Sequence, residues 1–251
     1  MFKQKLKASL IHLSLSALLI LILMGSVVFF LFPRLFISVT DFKEVASLII
    51  LIDLILGPLL TFVVFQPKKK TLMFDLSIIA AIQISALFYG VYALYQVHPV
   101  YVTFNVDRFT IISAKDAEPE KAKYDEYKVS KLSAGTLAFA EIPTDNKQYN
   151  DLLLSSALGG ADLDQRVEYY KPYDDNISQI IARSLDPDVI FKTKDAKIKA
   201  QEFLSMHKRN LNSFAFIPLN SLKKGAIIVL NKETAEPVTT LNIDPWKLTQ
   251  K

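Results

Sequence analysis

The stretch Leu51–Asp75 constrains the fold more than any other, because one membrane-length apolar run ends in it and a second begins. Apolar residues run from Val45 to Phe65, which is about the 20 residues that an α-helix needs to cross a hydrocarbon core. Pro67 then predicts the end of the helix, since proline disfavours the α conformation in the residue before it. Three lysines follow at once, namely Lys68, Lys69 and Lys70. The pattern predicts a membrane helix that ends at a positively charged loop.

Two further apolar segments flank this one, so that membrane helices are predicted at 10–32, 45–65 and 72–97. A cleavable signal peptide is the rival interpretation of the amino-terminal segment. Its apolar run, however, exceeds the usual length of about 7–15 residues, and no clear cleavage site follows. Lysines precede the first segment at Lys3, Lys5 and Lys7. The positive-inside rule therefore predicts a cytoplasmic amino terminus, a cytoplasmic lysine loop, and a domain on the outer side from residue 98 onward.

The basic excess of the chain comes from its membrane segments. The formal net charge is +4, yet basic and acidic residues balance from His98 onward. This distribution indicates membrane topology and not nucleic-acid binding, which needs a basic patch on a folded surface. The chain has no cysteine, which excludes disulfides, zinc-thiolate sites and thiol catalysis. Its three histidines are too scattered for a metal site. We therefore predict no catalytic residue, no cofactor and no metal, and the chain is not expected to be an enzyme.

Residues 98–251 change character and predict a small α+β domain with an antiparallel sheet, after a three-helix membrane domain at 1–97. Alternating β-branched and aromatic residues predict a strand or hairpin in the first part of this domain and single strands later. The predicted strands lie at 98–113, 135–142, 213–218, 226–231 and 238–243, and the predicted helices at 114–131, 146–158, 176–184 and 193–206. The tyrosine-rich stretch 166–175 is predicted to be irregular.

Asp53 is the most unusual residue of the membrane segments. A carboxyl at membrane depth costs roughly 2.5–3.5 kcal/mol on insertion scales, so it should face protein or water. Two interpretations stay open: Asp53 holds the three helices together, or it meets a transmembrane helix of a partner. Gly57 and Pro58 predict a packing kink, and Gln83 is expected to hydrogen-bond to another helix. Asp75, close to the lysines, is expected to be an interfacial acid paired with a lysine.

An aspartyl pair of Asp53 with Asp75 is the sharpest enzymatic hypothesis. Such a dyad needs its carboxyls about 3 Å apart so that they share one proton. With a rise of about 1.5 Å per residue, the two acids differ by about 10 Å in depth. That is too far unless the helix breaks, and Gly57-Pro58 could supply a break.

The chain also carries a series of unusual short motifs. They are Asp53-Leu54-Ile55-Leu56-Gly57-Pro58-Leu59-Leu60-Thr61, Phe74-Asp75-Leu76, Tyr89-Gly90-Val91-Tyr92, Pro99-Val100-Tyr101, Asn105-Val106-Asp107-Arg108-Phe109 and Asp244-Pro245-Trp246. With these motifs the chain resembles the type IV pilin accessory proteins of the TfpX/TfpZ family. The resemblance implies a non-enzymatic inner-membrane factor of Gram-negative bacteria with a periplasmic domain. It also implies a part in type IV pilus assembly and twitching motility, as an assembly factor or chaperone.

The partners that this resemblance implies are the major type IV pilin or inner-membrane components of the pilus machinery, with membrane lipid around the helices and no nucleic acid. No catalytic residues come with such a family. The candidate residues for partner contact or helix packing are Asp53, Gly57, Pro58, Asp75, Gln83, Asp107 and Arg108.

A ligand-binding or sensor module on the outer side, held by a membrane anchor, is the alternative. The tyrosines of Tyr169–Tyr173 support it as a candidate recognition surface. Against it, the segments predicted to be cytoplasmic are only a short tail and one lysine loop, which leaves no output domain.

Overall fold

The computed structural model describes residues 1–207, 210–221 and 225–248, and it divides into two compact units. We call them the membrane unit, residues 1–31 and 41–97, and the globular unit, residues 32–40 and the chain from residue 98. The sequence prediction assigns the whole of 1–97 to the membrane domain. The structure differs at residues 32–40, because side chains of this segment pack in the globular unit.

Three helices among the described residues are long and apolar enough to cross a membrane. The first span is α1, Phe2–Leu31, and the third span is α4, Leu72–Val97. The second span, Phe42–Val64, consists of α2 (Phe42–Leu51), a π-helical turn (Ile52–Leu56) and α3 (Gly57–Val64). The three predicted spans are confirmed as helices. The first begins earlier than predicted, because the basic residues at its start continue the helix beyond the apolar run.

The second span packs between the other two. Its carboxyl end lies beside the amino end of the first span, where Lys5 Nζ donates to the carbonyl of Val63 at 3.1 Å. The rings of Phe2 and Phe62 meet there with their centroids 5.7 Å apart. The lysine loop follows directly on the second span, so one end of the membrane unit holds both lysine groups. They are Lys3, Lys5 and Lys7 in the first group, and Lys68, Lys69 and Lys70 in the second.

The globular unit is built on a seven-stranded sheet with the order β4-β3-β1-β2-β5-β6-β7. The strands are β1 Pro99–Asn105, β2 Arg108–Ser113, β3 Thr136–Ala140, β4 Tyr170–Lys171, β5 Phe214–Asn220, β6 Gly225–Asn231 and β7 Pro237–Leu241. The α+β fold class is confirmed, but the sheet is mixed and not antiparallel. β1 runs parallel to β3, and β2 runs parallel to β5. Alternation along one strand identifies the strand but not the direction of its neighbour, which explains the difference.

The helices of this unit are α5 Asn146–Ala157, α6 Ile177–Ile181, α7 Pro187–Ile190 and α8 Lys194–His207. The helix predicted at 114–131 is wrong, because the structure has only two 3₁₀ turns there, Pro119–Lys121 and Asp125–Tyr127. Ala117, Ala122 and Tyr127 are all buried. Their spacing of five residues does not place them on one face of an α-helix, so the segment lies along the unit as turns instead.

Two apolar clusters cover the two faces of the sheet. Neighbouring residues of β5 point to opposite faces, so that Ile217 belongs to one cluster and Phe216 to the other. The Phe216 cluster includes Phe203 of α8. The Ile217 cluster includes Phe104 and Phe109, whose rings meet edge to face at 5.3 Å.

The segment 32–40 completes the Ile217 cluster. Phe36 is only 3 % exposed and packs in it together with Val39. The hydroxyl of Thr240 in β7 donates to the carbonyl of Leu35 at 2.9 Å. Gly135, at φ +71°, leaves room for this segment, because a Cβ there would lie only 3.0 Å from Cγ of Pro33. The loop between the first two spans is therefore a core element of the globular unit.

We predict that Phe36→Ala destabilises the globular unit by about 3–5 kcal/mol, since it removes a buried ring from a packed core. The measurement is denaturant unfolding of the full chain in lipid nanodiscs, followed by the fluorescence of Trp246, the single tryptophan of the chain. Arg34→Ala, at an exposed position of the same segment, is the matched control and should change little. Equal stability of the two variants would show that the segment only touches the core.

Candidate functional site

The structure joins Asp53 and Gln83 inside the membrane unit. Asp53 is 5 % exposed and Gln83 is 8 % exposed, although both belong to apolar helices. Gln83 Nε2 donates to Asp53 Oδ1 at 3.3 Å. Among the described residues this is the hydrogen bond that reaches the Asp53 carboxyl. The expected hydrogen bond from Gln83 to another helix is thus present, and its acceptor is the acid of the second span.

The π-helical turn that carries Asp53 is explained by Pro58, which follows it in the sequence. Pro58 has no N–H to donate to Leu54, four residues earlier, and its ring would crowd that carbonyl in a regular helix. The helix widens instead, and the N–H of Gly57 donates to the carbonyl of Ile52, five residues back. Such single π turns inside α-helices occur often at functional sites. The predicted kink at Gly57-Pro58 therefore takes the form of a wider turn that holds Asp53.

Gly57 and Gly90 are the points of close approach between the second and third spans. A Cβ on Gly57 would lie 1.9 Å from Gln83 Nε2. A Cβ on Gly90 would lie 2.4 Å from Cγ1 of Ile49. Small residues allow membrane helices to pack closely, and here one of them also leaves room for the amide that reaches Asp53.

A second polar contact joins the first span to the second. His12 Nδ1 lies 2.6 Å from the hydroxyl of Thr61, which is buried at 3 % exposure. The hydroxyl of Ser9 reaches the carbonyl of Pro58 at 2.8 Å. The sequence analysis missed this contact, because nothing in either segment relates a histidine near the start of one helix to a threonine near the end of another. The sequence did place one polar residue in each apolar run at a similar distance from the lysines, and this was the sign from which the contact could have been predicted.

Asp75 lies elsewhere, beside the lysine loop. Lys69 Nζ is 2.6 Å from its carboxylate, and the hydroxyl of Thr71 donates to it at 3.4 Å. Asp75 and Gln83 are eight residues apart on one helix, which is about 12 Å along its axis. The structure therefore gives Asp53 and Asp75 separate partners and does not bring them together as the dyad hypothesis requires.

Asp107 and Arg108 lie at the tip of the β1–β2 hairpin and meet the closing motif of the chain. Arg108 Nε donates to Asp107 Oδ1 at 2.7 Å. The guanidinium of Arg108 lies 4.6 Å from the ring centroid of Trp246. Asp244 accepts from the N–H of Trp246 at 3.1 Å. Two motifs that are far apart in the sequence therefore form one cluster in the globular unit.

The tyrosines at 169–173 mostly serve the core. Tyr170 and Tyr173 are buried, and burial raises the pKa of both phenols above its ordinary value. The hydroxyl of Tyr170 donates to the carbonyl of Asp164, and that of Tyr173 donates to the carbonyl of Ala235 at 2.8 Å. These contacts fix the stretch against the sheet, so Tyr170 and Tyr173 do not form an exposed recognition surface.

A groove of about 580 Å³ opens in the globular unit, at the carboxyl ends of the parallel strands β1 and β3. Its lining combines apolar side chains, such as Phe104, Phe139 and Ile142, with the charged Arg183. In the described part of the chain, no group of three or more histidines, aspartates or glutamates could hold a metal ion. The groove is one place for a ligand under the alternative, ligand-binding interpretation, and a second groove of about 310 Å³ is lined by Tyr124, Tyr169 and Tyr170.

We predict that Gly57→Ala separates Gln83 from Asp53, because the new methyl group needs the space of the amide. The thermal unfolding temperature of the full chain in nanodiscs should fall. Gly25→Ala in the first span is the matched control, since a Cβ there meets nothing within 4 Å. Alanine is favoured over glycine inside a helix by about 1 kcal/mol, so this control should be neutral or slightly stabilising. Equal effects of the two substitutions would contradict the close approach at Gly57.

Comparison with known proteins identifies relatives along the whole chain. The chain is 27% identical over 254 residues to the fimbrial assembly protein of serogroup I from Dichelobacter nodosus, a match that covers 96% of each chain. The serogroup E1 protein of the same organism is 28% identical with the same coverage. The protein of serogroups C1 and C2 is 38% identical over 112 residues, which are 44% of this chain and 86% of that protein. No family model matches, and no solved structure gives a significant match. Because the match to this third relative has 38% identity and covers 86% of that protein, the chain belongs to the family of fimbrial assembly proteins.

Proposed function

We propose that this protein is an inner-membrane factor of type IV pilus assembly, of the TfpX/TfpZ accessory kind. The observation that carries the proposal is its similarity to two fimbrial assembly proteins over 96% of the chain. The similarity spans both the three apolar helices and the globular unit. A protein that shares only an anchor or only a domain with these relatives would match over one part.

In the proposed orientation, the amino terminus and the lysine loop are cytoplasmic and the globular unit is periplasmic. Both lysine groups lie at one end of the membrane unit, and lysines favour the cytoplasmic side. Residues 32–40 share a core with the chain beyond residue 98. A single core requires both segments on one side of the membrane, which three crossings provide in either orientation, and the lysines at the other end favour the periplasm for that side.

The proposed action is recruitment of another protein and not bond-making. A pilin waiting in the inner membrane presents a single helix within the bilayer and a globular head outside it. A factor with three spans and a periplasmic unit can contact both parts, and it would thereby assist or modulate assembly as a chaperone. The separate partners of Asp53 and Asp75 support this action over that of an intramembrane aspartyl enzyme.

We predict that deletion of the gene lowers surface piliation and twitching motility, and that the intact gene restores both. Surface pilin is measured in sheared fractions against total cellular pilin, and motility as the diameter of the twitching zone. Gly57→Ala should restore piliation only in part, whereas Gly25→Ala should restore it fully. Unchanged piliation and twitching after deletion would contradict the proposed function.

We predict that a reporter fused to the carboxyl terminus is active only in the periplasm. Alkaline phosphatase at this position should be active, because it requires export, and a green fluorescent protein exported by the same route should stay dark. Replacing Lys68, Lys69 and Lys70 together by glutamine should reduce phosphatase activity, since these charges hold the loop inside. A phosphatase that is inactive beside a bright fluorescent fusion would reverse the proposed orientation.

A further inference from the structure

A cleft opens between the first and third spans of the membrane unit. These two helices touch each other little, because the second span lies between them. The cleft has a volume of about 140 Å³. Leu19 on one wall and Ile84 on the other are about half exposed, at 48 % and 51 %. The two walls therefore present apolar side chains that the described helices leave about half exposed.

The floor of this cleft is polar. Asp53 of the second span lies there, with Gln83 beside it and His12 and Ser16 on the first wall. A carboxylate offers about four acceptor positions. Among the described residues, Asp53 accepts one hydrogen bond, from Gln83. Its donor–acceptor distance of 3.3 Å is longer than the usual value of about 2.9–3.0 Å. The acid is buried at membrane depth and still has capacity to accept hydrogen bonds.

The occupant that suits these walls and this floor has both an apolar body and a polar donor. A lipid chain would cover the walls but cannot donate to Asp53. A helix from another protein can do both, since its side chains cover Leu19 and Ile84 while one amide or basic group reaches the acid. Polar side chains inside membranes are satisfied by pairing with such partners.

A second copy of this chain is poorly suited to the cleft. In a symmetric dimer the same surface faces itself, so the clefts would bring one Asp53 toward the other. The lysines of the membrane unit lie at its two loop ends, and His12, which lines the cleft, already lies 2.6 Å from the hydroxyl of Thr61 in its own chain. A different chain is therefore better placed to bring a basic or amide donor to Asp53.

We propose that this cleft binds a transmembrane helix of another protein that carries a hydrogen-bond donor, basic or amide, at the depth of Asp53. The inference deepens the proposed function and rests on it only for the biological identity of the partner. Ala80 lines the third-span wall of the cleft, and Ala81 next to it is exposed and does not line it. These two alanines offer a matched pair for filling the cleft and for adding the same bulk elsewhere.

The test uses the full chain in lipid nanodiscs and synthetic polyleucine helices with a central lysine, asparagine, glutamate or leucine. The chain has no cysteine, so one introduced at the exposed Gln66 carries the dye for energy transfer to a labelled peptide. Interhelical hydrogen bonds in membranes contribute up to about 1–2 kcal/mol, so the lysine and asparagine peptides should bind about five- to thirtyfold more tightly than the leucine peptide. The glutamate peptide should show no such gain at a pH where its carboxyl is ionised, because a carboxylate only accepts hydrogen bonds.

Substitutions at Asp53 in the floor and at Ala80 in the wall test whether the peptides bind in the cleft. Asp53→Asn should remove the preference for lysine and keep that for asparagine, while Asp53→Leu should remove both. Ala80→Phe should weaken every peptide, and Ala81→Phe should weaken none. If the Asp53→Leu variant does not fold, the two alanine variants decide. Equal binding of the leucine and lysine peptides, equal binding to both alanine variants, or self-association that the peptides fail to displace would overturn the proposal.

Piliation separates this inference from the proposed function. If polar peptides bind through the cleft while deletion of the gene leaves piliation unchanged, the proposed function fails and the cleft stands. If deletion abolishes piliation while the Ala80→Phe gene restores it fully, the cleft proposal fails and the proposed function stands.

Discussion

A carboxyl group within apolar helices needs a donor, and the bond from Gln83 to Asp53 is the interaction on which the arrangement of the membrane unit depends. The bond requires the second and third spans to approach closely, which in turn requires glycine at position 57. The helix must also present the acid at the correct angle, and the π turn ahead of Pro58 does so. The glycine, the π turn that Pro58 causes and the close packing of the helices thus all serve one requirement, which is a partner for a single buried acid.

The globular unit depends on a different constraint, the closure of its apolar core by a distant segment. Phe36 and Val39 fill one face of the sheet and are separated in sequence from every strand by two membrane helices. The same unit brings Arg108 against Trp246 from opposite ends of its chain. The buried polar groups of this unit also hold the fold together, since the hydroxyls of Tyr170 and Tyr173 donate hydrogen bonds to backbone carbonyls.

Features with a local cause were predictable from the sequence, and features with a distant cause were not. The three spans follow from apolar length, and six of the seven described strands follow from alternation, so these were recognised. The two-residue strand β4 lies in the stretch 166–175 that was predicted to be irregular, because two residues are too short to show alternation. The sequence also indicated that Gln83 would bond to another helix, but only the fold shows that Asp53 is its acceptor. The parallel pairing of β1 with β3 and the contact of His12 with Thr61 depend on which elements become neighbours. The turns at 114–131 replace a helix because tertiary burial overrides local propensity.

The place of residues 32–40 in the globular core has a consequence for biosynthesis. The ribosome delivers this segment before the second and third spans, and long before the last strand that packs around it. Phe36 can enter the core only when both intervening helices have been threaded across the bilayer and the chain has returned to the same face. A polypeptide with one of these two helices missing would leave Phe36 on the wrong side of the bilayer and the core incomplete. Completion of the globular core therefore depends on correct insertion of the second and third spans.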